Sequence, residues 1–151
     1  MEYLQSLDIL DMMEECFNKT LKIAISKGID KSRICLDPGI GFALTKRENL
    51  ELIKGIDRIH DMGYLSFLGV SRKRFVVNIL TENNIDSDIK TEEGLSNVDL
   101  ASAYLSAIAS FKGVNILRVH NFDKHFSAIL IGDAIRMADK SEDINFGAYK
   151  K

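Results

Sequence analysis

Three short groups of polar residues carry most of the chemistry that this sequence offers. They are Asp37, the run Arg72-Lys73-Arg74 and the run Arg118-Val119-His120, and each follows a short apolar segment. The cations suit an anionic substrate or leaving group, because arginine donates in a planar, bidentate geometry that matches phosphate. Asp37 could accept hydrogen bonds from the N–H groups of a ligand. A competing interpretation is structural: Asp37 would pair with Lys73 or Arg118 and hold the strand ends in place.

The apolar segments before these groups have the length of strands, and helices separate them. The predicted strands cover Ile34–Leu36, Tyr64–Val70 and Val114–Val119. The predicted helices cover Leu7–Lys27, Thr45–Gly63, Phe75–Leu80, Asn97–Gly113 and Lys124–Ala138. Strands that alternate with helices form a parallel sheet, since parallel neighbours need a crossover. We therefore expect one α/β domain over residues 1–151, with the polar groups gathered at the carboxyl ends of parallel strands, where such folds bind ligands.

Several local features refine this prediction. Thr45 and Glu48 have the spacing of a capping box, and Asn97 is the expected N-cap of the third long helix. The polar segment 81–96 is the longest expected loop and is expected to be mobile. The last two long helices are expected to bury apolar faces, which comprise Leu100, Ala101, Tyr104, Leu105, Ile108 and Phe111 on one helix and Ala128, Ile131, Ala134, Ile135 and Ala138 on the other. Residues 139–151 form a polar tail that we expect to be loose.

Composition restricts the class of protein. The chain has 151 residues, 46% of them hydrophobic, and a formal charge of −2, which argues against a general nucleic-acid binder. Cys16 and Cys35 have no partner at metal-ligand spacing, so we expect two buried, reduced thiols and no metal site. The chain has no apolar run of membrane-spanning length, and its first residues lack the features of a secretory leader. We expect a soluble, cytoplasmic protein that binds neither membranes nor nucleic acids.

Three motifs at these strand ends resemble those of the dihydropteroate synthase family of pterin-binding enzymes. Leu36–Phe42 reads LDPGIGF, Gly69–Phe75 reads GVSRKRF, and Arg118–His120 reads RVH. The resemblance implies a (β/α)8 TIM barrel, of which this chain would form about the last three strand–helix units. It also implies that the parent enzyme condenses dihydropterin pyrophosphate with p-aminobenzoate, releases pyrophosphate and is the target of sulfonamides. The family's Mg²⁺ would have its ligands outside this chain, and a homodimer would form through the C-terminal helices.

The resemblance also assigns roles to residues. Asp37 would accept hydrogen bonds from the pterin ring, Lys73 would bind the pterin and orient the aminobenzoate, and Phe42 would line the aminobenzoate pocket. Arg118 and His120 would contact the pyrophosphate. Further substrate contacts are implied for Gly41, Ser71 and Arg74. Arg74 replaces a common Ser, and its side chain either adds a charged contact or faces solvent. Gly39 and Gly41 have a simpler alternative role as turn glycines that need positive φ.

Two departures from the family pattern leave questions open. Asn121 stands where the family has Asp, which removes a charge beside His120. The chain also begins after the fifth strand of the family barrel. Either it is a fragment of a longer enzyme, which is the interpretation we favour, or further copies or a separate chain complete the barrel. We expect the isolated chain to be inactive.

The sequence leaves two other functions as alternatives. One is a non-catalytic pterin-binding or oligomerisation module. The other is a pterin-dependent methyltransferase domain that acts with a corrinoid. The SRK and RVH segments argue against the methyltransferase, because a pyrophosphate leaving group explains the clustered cations better than a methyl transfer does.

Overall fold

Three parallel strands form the sheet in the computed structural model, which describes residues 8–140. The strands are β1 (Cys35–Leu36), β2 (Leu65–Leu68) and β3 (Ile116–Leu117). They lie side by side in the order of the chain, with Cys35 opposite Leu65 and Phe67 opposite Ile116. Each strand is shorter than the sequence predicted, but the parallel α/β architecture is confirmed. Neighbours in chain order are the arrangement that a barrel of strand–helix units produces.

Six α-helices surround the sheet within residues 8–140. They are α1 (Ile9–Ser26), α2 (Lys46–Lys54), α3 (Arg58–Asp61), α4 (Arg74–Glu82), α5 (Glu92–Phe111) and α6 (Phe122–Arg136), and a 3₁₀ turn covers Lys31–Arg33. The predicted capping box at the start of α2 is present: the side chain of Thr45 accepts from the Glu48 amide, and Glu48 accepts from the Thr45 amide at 2.7 Å. No helix within residues 8–140 is long and apolar enough to cross a membrane.

The core lies between the helices and one face of the sheet. Alternation along β2 buries Ser66 and Leu68 and leaves Leu65 49% exposed on the other face. Helices α2 and α3 and the turn between them contribute the fully buried Ile56 and Ile59 to the core. Burying an aliphatic side chain of this size stabilises the fold by roughly 1.5–3 kcal/mol. The packing that stabilises the fold therefore lies on the helix-facing side of the sheet. The loops that carry the three motifs follow the carboxyl ends of the strands.

The helix predicted from Thr45 to Gly63 is in fact two helices, so that prediction was wrong. Helix α2 ends at Lys54 with Gly55 as its C-cap, and α3 begins at Arg58. A Cβ atom on Gly55 would lie 2.6 Å from a methyl carbon of Leu10, so α1 packs directly against the break. The close approach of Leu10 explains why a glycine, which also favours a helix end, stands here.

The start predicted for the third long helix was also wrong. Helix α5 begins at Glu92, and the side chain of Thr91 accepts from the Gly94 amide at 3.0 Å. Asn97, the predicted cap, lies inside the helix and donates to the carbonyl of Asp86 at 3.0 Å. Gly94 lies in the first turn of α5, where a Cβ would lie 2.4 Å from the carbonyl oxygen of Asp88. The expected loop over 81–96 is therefore reduced to the connection between α4 and α5.

The apolar faces predicted for the last two helices are largely exposed. On α5 the buried residues are mostly small, whereas Tyr104 is 60% and Ile108 48% exposed. On α6 Ile131 is 63% exposed, and the buried residues are His125 and Gly132. The reason is that the two helices approach so closely that a Cβ on Gly132 would lie 2.3 Å from the carbonyl oxygen of Ala107. Only small side chains fit that contact.

The cysteine prediction was half right. Cys16 and Cys35 are free thiols, but both are exposed rather than buried. Cys35 lies on the open face of β1, next to the buried Leu36. Leu7, the predicted first residue of α1, and residues 141–151, most of the predicted tail, lie outside the described residues.

Candidate functional site

The loops that follow the three strands form one edge of the molecule, which we call the strand-end rim. It comprises residues 37–45 after β1, residues 69–73 after β2 and residues 118–121 after β3. The last two loops border a cleft of about 440 Å³, whose lining residues are Gly69, Ser71, Arg72, Lys73, Arg118, Val119 and His120. The rim thus brings together the residues of the second and third motifs, although they are more than forty positions apart.

Ser71 joins the loops after β2 and β3. Its side chain is buried, and its Oγ accepts from the backbone N–H of His120 at 3.3 Å and lies 3.0 Å from Nδ1 of the same residue. Oγ can donate its proton to Nδ1 when the imidazole of His120 carries its own proton on Nε2. An imidazole in that state can donate to an anion.

Arg118 is fixed at its base and exposed at its head. Its backbone N–H donates to the Leu68 carbonyl at 3.0 Å, which continues the pairing of β2 with β3. The guanidinium carbon lies 5.8 Å from the ring centre of Phe67. A Cβ on Gly69 would lie 3.2 Å from the Nη2 of Arg118, so the absence of a side chain at Gly69 leaves room for the guanidinium. Arg118 therefore lies against the cleft with its donors accessible.

The loop after β1 turns sharply and is held by local contacts. Asp37 is exposed, and one of its carboxylate oxygens accepts from the Gly39 amide at 2.8 Å. The Gly41 amide donates to Oδ1 of Asn49 at 2.6 Å. Asn49 is buried on α2, where its side-chain amide also donates to the Thr45 carbonyl at 2.7 Å. The second carboxylate oxygen of Asp37 has no protein donor within residues 8–140.

Gly41 has two reasons to be a glycine. Its φ is +85°, and a Cβ there would lie 2.8 Å from the Cδ of Lys73. The positive φ agrees with a simple role in the turn. The close approach of Lys73 shows in addition that the β1 loop lies against the β2 loop. Lys73 places its ammonium 4.5 Å from the ring centre of Phe42, a cation–π contact. Phe42 is itself 66% exposed, so most of its ring is available to a ligand.

Arg72 differs from the other cations of the rim. Its Nε and Nη2 donate to the two carboxylate oxygens of Asp99 at 2.7 and 3.0 Å. The paired guanidinium holds the pKa of Asp99 below its ordinary value, against the opposing effect of burial. Arg72 also has a φ of +55°, a left-handed conformation that costs an L-residue about 1–2 kcal/mol. Its charge is therefore compensated, whereas those of Lys73 and Arg118 are directed at the cleft.

The competing structural interpretation of the rim has no support in the described part of the chain. Across residues 8–140 no ion pair joins Asp37 to Lys73 or to Arg118. Arg74, the third cation after the strand, is exposed at the first residue of α4. Within residues 8–140, Lys73 and Arg118 therefore have no ion pair and remain free to meet an anion, whereas Arg72 is paired with Asp99.

Sequence reasoning missed the side chains that support the rim from behind. Asn49, Asp99 and His125 are all buried, and none of them lies at a strand end. A signal for Asn49 was available: it precedes Leu52, Ile53 and Ile56 at helical spacing, so a polar residue stands on a buried face. Asp99 gave no comparable signal, because the buried face of α5 consists of serines and alanines that look exposed in sequence.

Residues 8–140 do not fit a metal site. No group of three or more His, Cys, Asp or Glu side chains comes together in this part of the chain. A larger groove, of about 750 Å³, lies between α1 and α2, but none of the predicted site residues lines it. The cleft at the rim is therefore the candidate site.

Comparison with known proteins identifies the family of this chain. A sequence model for a family described as pterin binding enzyme matches residues 1–120. The chain is 42% identical over 98 residues to a dihydropteroate synthase of Streptococcus pyogenes serotype M6. The aligned region covers 65% of this chain and 34% of that protein. The chain therefore spans about a third of the length of the curated relatives that it matches.

Solved structures give the same likeness. A dihydropteroate synthase from Clostridium difficile, crystallised in the presence of pteroic acid, is 28% identical with a TM-score of 0.73, over 86% of this chain and 45% of that one. The enzyme of Thermus thermophilus, in complex with 4-aminobenzoate, is 27% identical with a TM-score of 0.68, over 85% and 45%.

Proposed function

Because the chain belongs to the pterin-binding enzyme family, we propose that it supplies the last three strand–helix units, and half of the substrate site, of a dihydropteroate synthase. The observation that carries the proposal is the convergence of all three motifs on the strand-end rim, with Lys73, Arg118 and His120 facing one cleft. The reaction would join dihydropterin pyrophosphate to p-aminobenzoate and release pyrophosphate. The relatives of this chain have that enzyme's name.

The cleft between the β2 and β3 loops would receive the pyrophosphate. Arg118 offers a planar set of donors, and an Nε2–H of His120 offers another. As the bond to the pterin methylene breaks, negative charge grows on the leaving oxygen. Preorganised donors stabilise that charge without reorganising, which lowers the barrier. The electron-poor methylene is then attacked by the amine of the aminobenzoate, so the enzyme needs no covalent intermediate.

The pterin would lie between Asp37 and Lys73. The free carboxylate oxygen of Asp37 can accept from the N–H pair of the pterin ring, while the Asx turn with Gly39 fixes the orientation of the group. Lys73 packs on Phe42 and reaches over Gly41, so its ammonium is held at the boundary between the two substrates. Gly41 would contribute close backbone contact, since a side chain at 41 would displace Lys73.

The aminobenzoate would bind on the other side of Lys73. The exposed ring of Phe42 offers an apolar wall, and the carboxylate would lie near the first N–H groups of α4, which have no partner inside the helix. Ser71 and Arg74 flank that helix start, and Arg74 could add a charged contact. The Thermus thermophilus relative, solved with 4-aminobenzoate, makes this ligand a reasonable choice.

Two parts of the proposal concern what lies outside the chain. Magnesium would be held by residues beyond this chain, and the steps proposed for these residues do not involve the ion. The first strands of the family barrel would supply the remaining pterin and pyrophosphate contacts. The proposed location is the cytoplasm, where the exposed thiols Cys16 and Cys35 would stay reduced.

Calorimetry on the chain tests the proposal directly. We expect a pterin, and separately inorganic pyrophosphate, to bind the wild-type chain, and Lys73→Ala to weaken pterin binding by about tenfold or more through the loss of a charge-assisted hydrogen bond. Lys112→Ala is the matched control, since Lys112 pairs with Asp57 at 3.1 Å, away from the rim. Equal affinities in the two variants would contradict the site. An absence of any binding would contradict the function.

A turnover assay tests whether three strands are enough. We expect the isolated chain to release no pyrophosphate from dihydropterin pyrophosphate and p-aminobenzoate. Turnover by the isolated chain would contradict the need for the remaining strands. Binding without turnover is what distinguishes a partial synthase from an inert fragment.

The exposed faces of α5 and α6 support a second proposal, a homodimer formed through these helices. Phe122 and Phe126 stack with ring centres 5.2 Å apart and are 66% and 48% exposed. With Tyr104, Ile108 and Ile131 they form an apolar surface of the kind that soluble proteins usually cover. Sedimentation equilibrium should give a dimer for the chain and a monomer for Phe126→Glu. A monomeric wild-type chain at high concentration would contradict the dimer.

A further inference from the structure

Asp99 lies on α5, away from the strand ends, yet it contacts two of the three rim loops. Its carboxylate accepts from Nε and Nη2 of Arg72 at 2.7 and 3.0 Å, and from the side-chain amide of Asn121 at 3.1 Å. The side chain of Asp99 is only 4% exposed. A carboxylate withdrawn from water to this extent is retained only where donors compensate it, and here the three donors come from the loops after β2 and β3.

The contact between Asp99 and Arg72 determines where the side chains of Ser71 and Lys73, which flank Arg72, are directed. Arg72 has a φ of +55°, which non-glycine residues rarely adopt, and its backbone N–H donates to Oγ of Ser102 at 3.0 Å. Helix α5 therefore holds both the backbone and the side chain of Arg72. The flanking residues then face other partners: Ser71 contacts His120, and Lys73 contacts Phe42. Without the contacts from Asp99 and Ser102, the backbone of Arg72 would relax from its left-handed conformation to a more stable one. Lys73, the next residue, would move with it.

The contact with Asn121 acts on the third loop. Asn121 is the N-cap of α6, where its Oδ1 accepts from the Lys124 amide at 3.3 Å, and its amide nitrogen is thereby directed at Asp99. Asn121 directly follows His120, so this bond fixes the backbone that carries the imidazole. A carboxylate at 121 would cap the helix equally well, but it would have no proton to donate to Asp99. Position 121 is therefore one where Asp99 favours an amide over a carboxylate.

We propose that Asp99 is a positioning residue, which couples the β2 and β3 loops through Arg72 and Asn121 so that Lys73 and His120 face the same ligand. The proposal rests on the proposed function for the identity of that ligand, but the coupling itself is a property of the fold. The choice of Asn at 121 follows from it, because a second carboxylate at this point would repel the first and compete for Arg72. Asp99 itself does not need to touch the substrate.

Nuclear magnetic resonance of the full chain tests the coupling without any ligand. In wild-type protein the Nε–H of Arg72 should give a resolved, slowly exchanging signal. Asp99→Asn should remove that signal and shift the backbone amides of both Lys73 and His120. The matched control is Asp133→Asn, which breaks another Asp–Arg pair, with Arg136 at 2.9 Å, and should leave those amides unchanged. Unshifted amides of Lys73 and His120 in Asp99→Asn would overturn the proposal.

A second pair of variants keeps the test decisive if Asp99→Asn does not fold. Asn121→Ser retains a capping side chain but cannot reach Asp99, so it should shift the amide of His120 and leave the Arg72 signal in place. Asn121→Asp should disturb both loops, because its carboxylate faces that of Asp99 and competes for Arg72. An unchanged Arg72 signal in Asn121→Asp would overturn the coupling.

Titration with inorganic pyrophosphate then measures the consequence for binding. We expect Asp99→Asn and Asn121→Asp to bind pyrophosphate about tenfold more weakly than wild type, the size of one charge-assisted hydrogen bond, while Asp133→Asn binds normally. Unchanged affinity in Asp99→Asn would overturn the positioning role. If wild-type protein does not bind pyrophosphate, the proposed function fails instead, and the amide shifts still decide whether Asp99 couples the loops.

Discussion

The loop after β1 is held by contacts between near neighbours in the chain, whereas the loops after β2 and β3 are held by partners far away in sequence. Asp37 accepts from an amide two residues on, and Gly41 donates to Asn49, eight residues on. Arg72 and Asp99 are 27 residues apart, and Ser71 and His120 are 49 apart. The β1 loop should therefore respond alone to a local change, while the other two should respond together.

The largest expected effect is at Asn49, which would break the β1 loop alone. Asn49→Ala leaves the Gly41 amide and the Thr45 carbonyl without their partner, in a site where the residue is only 2% exposed. We expect a loss of about 2 kcal/mol in the free energy of unfolding, measured by urea denaturation. Asn18→Ala, on the exposed face of α1, is the control and should change little.

The same variant sharpens the comparison between loops. Asn49→Ala should weaken the binding of a pterin, which needs the β1 loop, but leave the affinity for pyrophosphate near its wild-type value. Equal losses for both ligands would mean that the three loops form one unit. Urea midpoints that match between Asn49→Ala and Asn18→Ala would show that the buried amide does not hold the loop.

The contrast between loops also explains what could be read from the sequence. The capping box of Thr45 and Glu48 and the alternation of strands with helices depend on residues close together in the chain, and both were predicted. The break at Gly55 was not, because it depends on the side chain of Leu10, which folding brings near. The start of α5 at Glu92 was also missed, although its signal is local: the side chain of Thr91 caps the amide of Gly94, three residues on. Patterns of neighbouring residues predict local structure. Whether a glycine ends a helix or lies within one depends on the atoms that approach it in the fold.

Asp99 is the clearest example of a site residue that the sequence could not predict. The buried side of α5 has Ser102, Ser106 and Ser110, and its large apolar residues face outward. Hydrophobic periodicity therefore indicated a face that is largely exposed, although Ala101 and Leu105 do pack against the core, and it gave no reason to expect a buried Asp99. What decides the face is the tight approach of α6 at Gly132, which no single-helix pattern contains.

An intermediate effect is expected from pH, and it acts on the region behind the β2 and β3 loops. His125 is fully buried on α6, with Nδ1 2.7 Å from Oγ of Ser106 and no partner for Nε2 within the described residues. Burial lowers the pKa of His125 below its ordinary value of 6.5. The unfolded chain then binds a proton at a higher pH than the folded one does. Stability is complete above pH 6.5 and falls as the pH decreases towards the lower, folded pKa.

The slope of that loss is limited to one proton, about 1.4 kcal/mol per pH unit. Urea denaturation from about pH 7.5 to about pH 5 should reveal it, and His125→Asn should flatten it, since asparagine does not titrate. Ser127→Asn, on the exposed face of the same helix, should keep the wild-type slope. The contribution of Asp99 lies in a separate window: its pKa is lowered, so that contribution is lost only as the pH falls below 3.8. A wild-type slope in His125→Asn would show that another group causes the pH dependence.

The smallest expected effect is at a cation–π contact that joins the two kinds of loop. Phe42 and Lys73 bring the β1 loop against the β2 loop through a cation–π contact at 4.5 Å, and Phe42 is largely exposed. Contacts of this type at exposed sites contribute about 0.5–1 kcal/mol, so Phe42→Leu should lower the free energy of unfolding by no more than that. A double-mutant cycle with Lys73→Met would isolate the coupling. A coupling near zero would mean that the two regions are independent in the absence of ligand, and that only a pterin lying between Asp37 and Lys73 joins them.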